Sequence, residues 1–164
     1  MSTPLDRIAG NTIIQFTDVD PALLKTDAIV EEQDTNMVLG KSHVVMNTIE
    51  SFPALVKKME QQTREIPGSV IIKSSKPKRF IAVIYDVDHD PICERVWLET
   101  ALETILADCD QYKIKTLAMP AMGTSYGKID EDEFTELLQN TLMNKRRKDL
   151  KKILIYKTID EPES

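Results

Sequence analysis

The chain has 164 residues, 41% apolar and 29% charged, with 27 acidic against 21 basic side chains and a formal net charge of −6. These proportions are those of ordinary globular proteins and argue against disorder, a fibrous repeat, or a domain whose main work is gripping nucleic-acid phosphates. No apolar run reaches about 18 residues, and "MSTPLDRIAG" lacks the charged-then-apolar layout of a secretory leader. The expectation is one cytoplasmic domain over 1–160, with no membrane contact and an unstructured acidic tail at 161–164.

In chain order, "TIIQF" (12–16) and "DAIV" (27–30) read as strands because they are short runs rich in β-branched residues. A helix is expected from Pro53 to Gln62 behind Ser51 as N-cap, with Leu55, Val56 and Met59 on its buried side. Gly68 and "SSKPKR" mark the turns around a hairpin-like pair, "SVIIK" (69–73) and "FIAVIY" (80–85). In "ERVWLETALETILADCD", Leu98, Ala101, Leu102, Ile105, Leu106 and Cys109 recur every three or four residues and form one apolar stripe. Trp97 sits just off that stripe and reads as packing.

"KTLAM" (115–119) is the next strand. A further helix opens at Asp130, with Glu133 placed for a capping box and Phe134, Leu137, Leu138 and Leu142 facing inward. It runs out into "KRRKDLKK", read as a solvated helix end whose cations suit the negative pole of the dipole. "KILIYK" (152–157) closes the series. Strands alternating with helices predict a layered α/β sandwich with mostly parallel central strands.

Four segments carry candidate chemistry. "TNMVLGKS", 35–42, falls one residue short of the phosphate loop G-x-x-x-x-G-K-S, because Thr35 stands where the first glycine belongs, and a β-branched residue resists the backbone angles needed there. "YDVDHD" puts Asp86, Asp88, His89 and Asp90 after a strand, but Pro91 stands where a calcium loop needs Gly; a solvated acidic turn is the better reading. His43 and His89 have no partner at helical spacing, and Cys93 and Cys109 form no CxxC. No metal site, disulfide or cofactor is expected. "LAMPAMGTSYG", 117–127, is an apolar strand that ends in permissive, hydroxyl-bearing residues, the makings of a loop of free backbone N–H groups that holds phosphate.

Taken together, "DAIVEEQDTNMVLGKSHVV", "GSVIIK", "FIAVIYD", "LAMPAMGTSYG" and "KILIYK" resemble, in order and spacing, the macro domain that binds ADP-ribose. The likeness runs from about Asn11 to Thr158 and implies a three-layer α/β/α sandwich. Its mixed six-stranded sheet would hold ligand at the carboxyl ends of the central strands. It further implies that Asp18, with Asp20 as the alternative, receives the adenine amino group. Tyr156 would stack near the adenine. Gly40, Lys41 and Ser42 would form one diphosphate loop, and Gly123, Thr124, Ser125, Tyr126 and Gly127 the other.

The departures bear on activity. The family's Asn-Ala-Ala-Asn segment is here Glu31, Glu32, Gln33 and Asp34, and its three glycines are Gly40, Lys41 and Ser42. The lysine and aspartate that one subclass uses to release ADP-ribose from acidic side chains match Asp86 and Gly127. The expectation is therefore binding of ADP-ribose or a related nucleoside diphosphate, with an ADP-ribosylated protein as a further partner class and no efficient catalysis. The alternatives are an ADP-ribosyl hydrolase using Asp34 as general base, with Lys41 offsetting its charge, and a non-binding interaction module.

Overall fold

The structure is a computed structural model that describes residues 7–20, 23–37, 65–126, 128–145 and 147–156. Its strands are β1 (Arg7–Ala9), β2 (Thr12–Thr17), β3 (Ala28–Asp34), β4 (Val70–Lys73), β5 (Lys78–Tyr85), β6 (Thr116–Pro120) and β7 (Lys152–Tyr156). The described helices are α1 (Arg95–Gln111) and α2 (Glu131–Asn144). Among the described residues the strands make one mixed sheet of seven, in the order β1-β2-β7-β6-β3-β5-β4.

The five inner strands are parallel, and the two edges, β1 on β2 and β4 on β5, are antiparallel. The sheet thus has one strand more than the six expected. "RIA" carries no β-branched run; it is drawn into the sheet by pairing with β2 across a tight turn at Gly10, whose φ is +63. That left-handed angle is one glycine adopts at little cost.

Parallel neighbours need crossovers, and α1 and α2 supply two of them, β5 to β6 and β6 to β7. On α1 the stripe Leu98, Ala101, Leu102, Ile105, Leu106 and Cys109 is wholly buried, as its spacing predicts. Burying each of its four large aliphatic side chains is worth about 2 kcal/mol. On α2 the inward residues are Phe134, Leu137, Leu138 and Leu142, joined by Thr135.

The capping box does not form. Asp130 takes the extended N-cap conformation without a side-chain cap bond, and Glu133 instead reaches Arg95 of α1 at 3.2 Å. Glu131, Asp132 and Glu133 still place negative charge at the positive pole of the helix.

Alternation along β5 distributes its side chains to two faces. Phe80, Ala82 and Ile84 join the core that contains the α1 stripe, whereas Ile81 and Val83, also buried, face the other way. The sheet is therefore covered on both sides, as the middle layer of an α/β/α sandwich must be. The helix read at 53–62 and the tail at 161–164 lie outside the described residues.

Candidate functional site

Because the five inner strands run the same way, their carboxyl ends share one edge. The register is explicit there: Thr17 and Pro120 both pair with Tyr156, and Asp34 pairs with Tyr85. Asp18 follows β2, Asp34 ends β3, Tyr85 ends β5, residues 121–126 follow β6 and Tyr156 ends β7, so five strand ends bring these residues together. Gly40, Lys41, Ser42 and Gly127 lie outside the described residues.

The loop after β6 is tightly specified. Gly123 has φ +86, and a Cβ there would stand 2.9 Å from Cγ1 and 3.0 Å from Cβ of Ile129, so both the angle and the space call for glycine. The Thr124 hydroxyl donates to the Ala121 carbonyl at 2.7 Å, closing the turn on itself. Tyr126 is 55% exposed and meets Tyr85 edge to face, with ring centroids 5.4 Å apart.

The amide of Gly123 donates to Oε2 of Glu32 at 2.9 Å, and the Tyr85 hydroxyl donates to the same oxygen at 2.9 Å. Burial, followed by the charge of Glu32, pushes the Tyr85 hydroxyl far above its ordinary pKa, so it stays a donor. Glu31 to Asp34, the segment that matches the family's Asn-Ala-Ala-Asn, are the second half of β3. Their charges therefore go to separate places. Glu31 pairs with Arg79 through two hydrogen bonds of 2.6 and 2.9 Å, and Glu32 points towards the β6 loop.

Glu32 and Tyr85 are the residues that sequence reasoning missed. The signal was the period of two: Ala28 and Val30 face the core, so Glu32 follows them on the same face.

Asp34 is 1% exposed, and its Oδ1 accepts the Asn36 amide at 2.8 Å, tying the carboxylate to the turn that leaves β3. The Tyr156 hydroxyl donates to the Val30 carbonyl at 3.0 Å, and its ring is 8% exposed. Burial and the nearby Glu32 and Glu31 raise its pKa well above the usual range. Asp18 is exposed.

Elsewhere, Asp86 takes part in an acidic turn: its Oδ1 accepts the Asp88 amide, and His89 lies 3.3 Å from Glu94 and edge-on to Trp97. Among the described residues no group of three or more His, Cys, Asp or Glu side chains is placed to hold a metal, and no helix is long and apolar enough to cross a membrane.

The basic run is not simply a solvated helix end. Arg147 is 7% exposed and turns back to Asp110 of α1 at 3.4 Å, while Asn11 accepts its backbone amide. A cavity of about 380 Å³ beside it, lined by Glu103, Ala107, Asp110 and Thr141, sits at the last turns of the helices. Those turns lie at the opposite edge of the sheet, because α1 and α2 return from strand ends to strand starts.

No family model and no curated protein sequence matches the chain. Solved structures do. The macrodomain of Thermus aquaticus DarG is 15% identical with a TM-score of 0.62, covering 88% of this chain and 98% of that one. The macrodomain of Mycobacterium tuberculosis DarG is 15% identical with a TM-score of 0.66, covering 90% and 99%. The Oceanobacillus iheyensis macrodomain with ADP is 14% identical with a TM-score of 0.68, covering 95% and 89%. The chain has the macrodomain fold.

Proposed function

We propose that this macrodomain fold binds ADP-ribose or a related nucleoside diphosphate at the carboxyl edge of its parallel strands, without efficient catalysis. The observation that carries the reading is the glycine-specified loop of residues 121–126, set at the strand ends beside Asp18, Asp34 and Tyr156. Open α/β sheets bind ligands at this edge, and loop amides there suit phosphate oxygens. Solved neighbours of the same fold contain ADP in one case and ADPR in another, which supports the ligand class.

In this reading the loop from Gly123 to Gly127 and the segment Gly40, Lys41 and Ser42 hold the diphosphate. Asp18, exposed beyond β2, accepts the adenine amino group. Tyr156, with its hydroxyl committed to Val30, offers the edge of its ring as a wall beside the base. An ADP-ribosylated protein is the macromolecular partner that such a site accommodates. The lack of efficient catalysis rests on Asp34: a general base must reach its water, and this carboxylate is buried and engaged by the Asn36 amide.

Isothermal titration calorimetry with ADP-ribose, ADP and ATP plus magnesium tests the reading. Heat with ADP-ribose and ADP is expected. A preference for ATP plus magnesium would shift the site to Lys41 and a phosphate loop, and no heat with any of the three at millimolar concentration would refute nucleotide binding.

A further inference from the structure

We infer that Glu32 sets the anion preference of this site: its carboxylate fills, from within the chain, the place at the Gly123 amide that a ligand phosphate oxygen would take. The inference rests on the reading that ligand binds at the carboxyl edge of the sheet, and it names the residue that tunes that binding.

Three features carry it. Glu32 is mounted on β3, a central strand, in the row that begins with Ala28 and Val30, so its position is fixed by the sheet. A single oxygen, Oε2, accepts both the Gly123 amide of the loop and the Tyr85 hydroxyl of β5 at 2.9 Å, two converging donors of the kind that hold a phosphate oxygen. Finally, the loop is tied on both sides of that amide: the Thr124 hydroxyl and amide both donate to the Ala121 carbonyl, and the Gly123 carbonyl accepts the Ile129 amide.

An entering diphosphate must therefore displace the carboxylate from the amide or lie beside its negative charge. Both cost affinity, and neither penalises an uncharged nucleoside. A hydrogen bond to a charged group changes binding by about tenfold to a hundredfold.

The test compares the wild type with Glu32→Gln, which keeps an acceptor for both donors and removes the charge. A second variant, Glu32→Ala with Tyr85→Phe, removes the acceptor together with the buried hydroxyl that needs it. Each is titrated by calorimetry with ADP-ribose, inorganic pyrophosphate and adenosine, and the Gly123 amide is followed by ¹H–¹⁵N spectra.

Both variants are expected to bind pyrophosphate and ADP-ribose about tenfold to a hundredfold more tightly, with adenosine unchanged. In the ligand-free double variant the Gly123 amide proton should move upfield, and pyrophosphate should return it downfield. Wild-type binding of ADP-ribose that neither variant improves would overturn the role of Glu32 and leave nucleotide binding standing. A gain for pyrophosphate alone would uphold Glu32 and refute ADP-ribose as the ligand. A Gly123 amide shift identical in all three proteins would overturn the inference directly.

Discussion

Replacing Gly123 by alanine probes the loop on which the functional reading depends. An alanine held at φ +86 suffers a left-handed backbone penalty of about 1–2 kcal/mol. Its Cβ would also fall 2.9 Å and 3.0 Å from two carbons of Ile129 and 3.1 Å from Cδ1 of the fully buried Leu98. Ile129 Cβ is attached directly to its backbone, so relief requires the chain to move; such overpacking costs about 1–3 kcal/mol.

The sum is about 2–5 kcal/mol of lost stability, or roughly 4–20 °C in Tm for a chain of this size. Urea unfolding followed by circular dichroism measures the first and scanning calorimetry the second. Gly10→Ala serves as the control: its φ is also positive, at +63, and its Cβ would meet the Leu142 carbonyl oxygen at 3.1 Å, but it lies where β2 starts, at the opposite edge. It should lose stability and keep whatever ADP-ribose affinity the wild type has, whereas Gly123→Ala should lose both. A Gly123→Ala protein within 0.5 kcal/mol of wild type would refute the loop conformation and, with it, the packing of the amide on Glu32.

Two further outcomes are expected. Burial, and then Glu32, Glu133 and Glu94, push the Cys93 thiol up from 9.0 to about 12, and burial moves Cys109, Tyr85 and Tyr156 in the same direction. The native state keeps these groups protonated where the unfolded chain releases its protons, so their contribution is whole below about pH 9 and is lost as pH rises towards 12. Urea midpoints should fall steadily across that window, and a flat profile between pH 9 and 11 would contradict the burial of these groups. Asp34→Ala should cost about 1 kcal/mol through the lost bond to Asn36, and neither it nor the wild type should release ADP-ribose from a mono-ADP-ribosylated protein; release by the wild type that the variant lacks would make Asp34 a base.

Much of the fold was legible in the residue pattern. Each of the six β-branched runs lies in a strand of the sheet to within one residue over the described positions, and the stripes from Leu98 to Cys109 and from Phe134 to Leu142 are buried. β1 was not legible, because "RIA" has little strand preference of its own and becomes a strand only beside Thr12–Ile14. The loop after β6 was readable from Gly123 and its polar neighbours, and its place at the strand ends follows from the topology. The expected strand stopped at Val30 because "EEQD" is polar, while its period continues the alternation of Ala28 and Val30 and β3 runs on to Asp34.

Sequence alone determined most of the local elements, the apolar faces that pack and the permissive, polar loop after β6, because these depend on neighbours within a few residues. The tertiary structure decided where the charges go. Glu32 meets the Gly123 amide across 91 positions, Tyr156 meets Val30 across 126, and Arg147 meets Asn11 across 136. Those partners are set by strand order and register, which bring distant segments to one edge. The same run of acids can repel a diphosphate, pair with an arginine on the far face or occupy a loop amide, and side-chain direction on a folded strand separates the three.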